Sequence, residues 1–177
     1  MNRLKSSLAA SLLALPVAAF AATPLPTATA HFTGANGADV GTAMLQDASP
    51  GTLITLNLKG LPPGPKAIHI HATGHCDDGS SGFKHSGSHL NPAGAQHGLL
   101  NPAGPDAGDL PNIYVADDGT VRAQLYTERA HLVGSDGAVI LDSDGAALVI
   151  HAGADDHLSQ PIGGAGDRIA CAVITRD

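Results

Sequence analysis

The chain has 177 residues, 43% of them hydrophobic, with 22 Gly, 12 Pro, no Trp and only seven Phe, Tyr or Met residues in all. That size and composition fit one domain rich in turns, with a core built from Val, Ile, Leu and Ala. Sixteen acidic against nine basic side chains give a formal charge of −7, which argues against nucleic acid or an anionic membrane as a partner.

In chain order, residues 1–21 carry Arg3 and Lys5, then an apolar run from Leu8 to Phe20 and the small-x-small site Ala19-Phe20-Ala21. This predicts a signal peptide cleaved near Ala21/Ala22 and a periplasmic destination. Ser11 and Pro16 interrupt the run, which falls short of the roughly 20 residues needed to span a bilayer. Without those residues, seven basic side chains face 16 acidic ones, a formal charge of −9. An anionic substrate then needs a local positive spot to draw it in. Residues 22–27, with Pro24 and Pro26, read as a loose leader, and 28–177 as one domain.

From Thr27 onward, short period-two or apolar runs alternate with Gly, Pro and Asp. Strands are predicted at Thr27–Thr33, Gly41–Leu45, Thr52–Leu58, Ala67–Ala72, Asn112–Ala116, Thr120–Tyr126, Ala146–His151 and Arg168–Thr175. Asp118-Gly119 and Asp136-Gly137 are turn dipeptides. No segment has a sustained helical period, so the class is all-β, an antiparallel sandwich or flattened barrel of about eight strands.

His69-Ile70-His71 lies on one of these strands, where residues two apart point the same way and can ligate one ion. Imidazole pairs suit copper, zinc or nickel; the other reading is that one ring simply faces the core. About forty residues without strand or helix period follow, too long for an idle loop. They hold His75, His85, His89, His97, Asp106 and Asp109. A second irregular stretch, 152–167, follows His151 and leads to Arg168. Cys76 and Cys171 are the only cysteines; in an exported chain they pair most simply as a disulfide spanning 95 residues, the alternative being thiolate metal ligands.

From Gly60 to Ile174 the chain resembles the copper/zinc superoxide dismutases, specifically the exported bacterial kind. The resemblance rests on Ala67-Ile-His-Ile-His-Ala, Phe83-Lys-His-Ser-Gly-Ser-His89-Leu-Asn-Pro, His97-Gly, Ala107-Gly-Asp109-Leu-Pro-Asn, Val149-Ile-His151-Ala-Gly-Ala-Asp155-Asp and Gly166-Asp-Arg168-Ile-Ala-Cys171, in the family's order. It implies a Greek-key sandwich. It further implies copper held by His69, His71, His89 and His151, and zinc held by His89, His97, Asp109 and a fourth ligand, with His89 bridging the two metals. Where the family has His in H-x-G-D, this chain has Asp106. A carboxylate is an acceptable zinc ligand, so either Asp106 binds or the site has three protein ligands and an open position.

The same resemblance makes Asp155 the carboxylate linking His69 to His97, sets Arg168 over the copper mouth to receive superoxide, and gives Lys84 a part in longer-range attraction. His89 and Arg168 are the implied catalytic residues. His31, His75, His85, His131 and His157 have no implied role and read as surface or structural imidazoles, with adventitious metal binding open to His75 and His85. Gly163-Gly164-Ala165-Gly166 does not open a helix after a strand, which argues against a phosphate loop. The implied activity is conversion of superoxide to dioxygen and hydrogen peroxide. The reading from a different class is a dismutase-like domain that binds or buffers copper and zinc without catalysis. Either is compatible with a monomer or a homodimer.

Overall fold

The computed structural model describes residues 25–134 and 137–177; the signal peptide expected at 1–21 and the start of the leader lie outside them. Eleven strands follow in chain order: β1 (Thr27–Gly34), β2 (Asp39–Asp47), β3 (Thr52–Leu58), β4 (Gly64–Lys66), β5 (Ile68–His71), β6 (Ile113–Val115), β7 (Val121–Thr127), β8 (Ala130–His131), β9 (Ala138–Val139), β10 (Ala147–His151) and β11 (Arg168–Arg176). Short 3-10 turns at Gly79–Ser81 and Lys84–Ser86 are the only helical elements among the described residues. None of these is long enough to cross a membrane.

Seven strands form one antiparallel sheet in the order β5-β10-β11-β1-β2-β3-β7, curled into a half-barrel. All eight predicted strands are present, with ends shifted by at most two residues. The three not anticipated are β4, β8 and β9. β4 is masked by Pro65, which a two-stranded pair with β6 tolerates. β8 and β9 have two residues each and are too short to show a period.

Period-two alternation turns Phe32, Leu45, Ile54, Leu56, Ile68, Ile70, Leu148, Ile150 and Ile174 into one core. Each such side chain contributes roughly 1.5–3 kcal/mol by leaving water. β5 and β10 depart from the alternation, being buried at every position. Their inward residues join that core, while their outward residues are covered by the two long loops. Under the first loop, Phe83 packs on Ala147, Val149 and Cys171 in a second small cluster. Cys76 and Cys171 form the expected disulfide.

The free edge of β5 positions the first loop. Ile70 N–H donates to Gly108 O at 2.9 Å, and Leu90 N–H donates to Ile70 O at 2.8 Å. Isolated bridges pair His69 with Asp109 and His71 with His89. The loop therefore returns twice to a strand edge that would otherwise lack partners. Gly108 permits this approach, because a Cβ there would run into Ile70 O.

Candidate metal centre

His69 and His71 sit on the outward face of β5, and β10 lies antiparallel beside it with Val149 opposite His69. A register shift between Ile150 and His151 alters the pairing with β11, and His151 N–H bonds to Ala67 O at 2.9 Å. The bulge re-aims the strand end. His69, His71 and His151 then offer ring nitrogens within 4.8 Å of one another. His89, brought in by its bridge to His71, has its ring centroid 4.1 Å from that of His69 and 5.3 Å from that of His71.

Each of these four rings is held by one nitrogen and leaves the other without a partner. His71 Nδ1–H donates to Gly87 O at 2.9 Å, and His151 Nδ1–H donates to Gly166 O at 3.0 Å. A carbonyl only accepts, so in the neutral ring the proton is on Nδ1 and the lone pair on Nε2. His69 Nε2–H meets Asp155 Oδ2 at 3.0 Å, and His89 Nδ1 meets Asp106 Oδ2 at 3.0 Å. The buried atoms that these four rings leave over are His69 Nδ1, His71 Nε2, His89 Nε2 and His151 Nε2; His157 Nδ1, outside the group, is also without a partner. Burial first, and repulsion from neighbouring rings, hold His69, His71 and His151 below the usual imidazole value, His151 at about 4. Unprotonated buried nitrogens converging without hydrogen-bond partners are a costly arrangement without a cation. Their all-imidazole donor set fits copper.

A second group adjoins the first through His89. His89, His97, Asp106 and Asp109 offer ligand atoms within 4.8 Å of one another, all from buried residues. Asp109 Oδ2 accepts from Gly98 N–H at 2.7 Å and Asp106 N–H at 3.0 Å, which leaves Oδ1 to face His97 Nδ1. Asp106 Oδ1 accepts from Gly108 N–H at 3.0 Å, which leaves Oδ2 for His89. His97 stands between two carboxylates, Nε2 at 3.1 Å from Asp155 Oδ1 and Nδ1 against Asp109 Oδ1. Two imidazoles with two carboxylates converging on one point fit zinc. Although burial opposes it, the carboxylates of Asp106 and Asp109 raise His89 to about 9, a proton standing where a metal charge would. Asp106, for which the sequence left two outcomes, has its carboxylate grouped with the donor atoms of His89, His97 and Asp109.

Asp155 spans the two groups, one oxygen on His69 and the other on His97. These bonds hold its carboxyl below the usual range despite burial. Gly163 leaves room for it, since a Cβ there would collide with Asp155 Oδ1.

Arg168 opens β11 and is half-buried. Nη1 donates to Phe83 O at 2.8 Å and Ser86 Oγ at 3.0 Å, and Nη2 donates to Gly87 O at 2.9 Å. A cavity of about 320 Å³ is lined by Arg168, His71, His89, His97 and Asp106, which leaves both groups reachable from solvent through one mouth. Lys84 is exposed and borders a neighbouring depression shared with Arg168, outside that mouth. His85 is exposed and pairs with Asp77 at 2.9 Å, and His131 accepts from Gly51 N–H at 3.3 Å.

Sequence reasoning missed Gln160, whose amide brackets the peptide of His97: Oε1 accepts from His97 N–H at 3.0 Å and Nε2 donates to His97 O at 2.8 Å. It also missed Asn112, which lies in the Asp109-Leu-Pro-Asn motif and bonds the peptide of Asp155. Position in that motif was the one available signal.

Residues 39–174 match the profile of copper/zinc superoxide dismutase (SODC). A superoxide dismutase [Cu-Zn] of Caulobacter vibrioides is 47% identical over 149 residues, covering 83% of this chain and 84% of that one. Superoxide dismutase [Cu-Zn] 2 of Aquifex aeolicus is 47% identical over 146 residues, covering 82% and 84%. Among solved structures, a SOD-like protein from Bacillus subtilis superposes with a TM-score of 0.78 at 34% identity, over 81% of this chain and 95% of that one. A family profile matched over most of the chain and this extent of identity have one explanation: the chain belongs to the copper/zinc superoxide dismutase family, enzymes that use copper and zinc.

Proposed function

We propose that this chain removes superoxide at a copper site formed by His69, His71, His89 and His151, with zinc on His89, His97, Asp106 and Asp109. The observation that carries this is the set of four buried imidazole nitrogens without partners, each ring fixed by its other nitrogen. When bound, copper supplies the one-electron couple that takes an electron from one superoxide and returns it to a second.

The protein's own residues do the rest. Arg168 offers fixed positive charge and directed N–H donors at the cavity mouth, in a chain whose net charge repels an anion. Lys84 extends the attraction outward. His89 would take a proton on Nε2 when that nitrogen is not on copper and pass it to the departing product, solvent supplying the second, so that two superoxide and two protons yield dioxygen and hydrogen peroxide. Asp155 keeps the rings of His69 and His97 in orientation during the cycle. The basic, apolar start of the chain supports export to the periplasm with cleavage near Ala21/Ala22.

Elemental analysis of the purified protein, run beside a superoxide-removal assay, tests this. Copper-loaded protein removes superoxide at a rate that falls as ionic strength rises. A fully metallated sample that is inert would move the reading to metal buffering.

A further inference from the structure

The ring of His97 meets a carboxylate on each side, Asp109 at Nδ1 and Asp155 at Nε2, so its setting depends on where its main chain lies. His97 comes from the first long loop, and a side chain of the second fixes that main chain. Gln160 Oε1 accepts from His97 N–H at 3.0 Å, while Gln160 Nε2 donates to His97 O at 2.8 Å and to Leu158 O at 3.0 Å. Two carbonyls at one end and an N–H at the other admit a single orientation of the amide.

The two ends of that contact are not equivalent. His97 O has a second donor, Asn101 Nδ2 at 3.0 Å. His97 N–H has Gln160 as its one partner among the described residues, and His97 is buried. A buried N–H that loses its acceptor is strongly unfavourable, so the residue would shift to find another. The loops also touch beside it: Leu100 N–H donates to His157 O at 3.1 Å, and Gly98 lacks the Cβ that would strike the same carbonyl. One stretch of the second loop thus grips His97 twice, Asp155 at the ring and Gln160 at the main chain.

We propose that Gln160 is a positioning residue for the zinc group: its amide sets the main chain of His97 so that the ring stands between Asp109 and Asp155. This rests on the reading of His97 as a zinc ligand. The comparison is zinc affinity by chelator competition, with the absorption bands of cobalt(II) substituted for zinc, in wild type, Gln160→Met and Asn101→Ala. Urea midpoints of the metal-free proteins are measured alongside. Methionine has the length of glutamine without its strong donor and acceptor; this variant should bind zinc roughly 10-fold or more weakly, with shifted cobalt bands. Asn101→Ala takes from His97 only a donor that Gln160 also supplies, so it should disturb both less. A methionine variant with wild-type affinity and bands overturns the proposal. So does one whose urea midpoint falls while its cobalt bands stay in place, or an Asn101→Ala variant that binds zinc as weakly. Wild-type protein that takes up no stoichiometric zinc overturns the underlying metal reading, and this role with it.

Discussion

Arg168 and His71 donate to the same acceptor: Nη2 of one and Nδ1–H of the other each reach Gly87 O at 2.9 Å. One peptide carbonyl thus fixes the distance between the anion-receiving guanidinium and a ring of the copper group. Arg168→Ala should lower kcat/KM for superoxide by roughly 10-fold or more and flatten its dependence on salt. Arg168→Lys should keep part of the rate, losing the fork of donors but not the charge. Stopped-flow rates over a salt series decide it; a wild-type salt profile in the alanine variant would place the steering charge elsewhere.

Asp106 points one oxygen at His89 Nδ1 and has the other tied to Gly108 N–H. As a zinc ligand it should matter more than an outer partner, so Asp106→Ala should weaken zinc binding by over roughly 100-fold. Asp106→His should tighten it. Chelator competition measures both, and unchanged affinity in the two variants would put Asp106 outside the site.

Without metal, the protein should be most stable near neutral pH. His151 is held at about 4 against 6.5 unfolded, and His69 and His71 are lowered too. As pH falls through that window the unfolded chain takes up protons that the native one refuses, so stability is lost toward acid. His89 has the opposite sign, raised from 6.5 to about 9. Its contribution is complete below 6.5 and disappears as pH rises through 9. Urea midpoints of metal-free protein between pH 4 and 10 should form a dome; a monotonic curve would contradict the two opposed groups. Zinc loading at pH 7 should release the His89 proton, measurable by calorimetry in buffers of different ionisation enthalpy.

The disulfide closes a loop of about 95 residues, for which chain entropy gives roughly 4 to 5 kcal/mol. Replacing both Cys76 and Cys171 with Ser should lower the unfolding free energy of metal-free protein by about that much. Activity should fall as well, since the pinned segment carries the Phe83, Ser86 and Gly87 groups that hold Arg168. An unchanged urea midpoint would show that other contacts hold the loop.

Much of this site was legible because its signals are side chains at fixed spacing. The period of two put His69 and His71 on one face, and Asp155 bonds His69 and His97 as the family resemblance implies. What was hidden depends on the main chain. Nothing in the identity of Gly87 or Gly166 says that its carbonyl sets the tautomer of a histidine. The left-handed backbone of His157, whose N–H reaches Asp155 Oδ1, is equally silent in the letters. For Asp106 the sequence left two outcomes, and its place beside His89 depends on the fold of its loop onto β5.

The hydrogen bonds that tie the first loop to the edge of β5 involve peptide groups, not ions. They should hold the cradle in place with or without its cargo, unlike small domains that stay unfolded until a metal organises them. Stripping the ions should leave an empty vessel of the same shape, ready to be refilled.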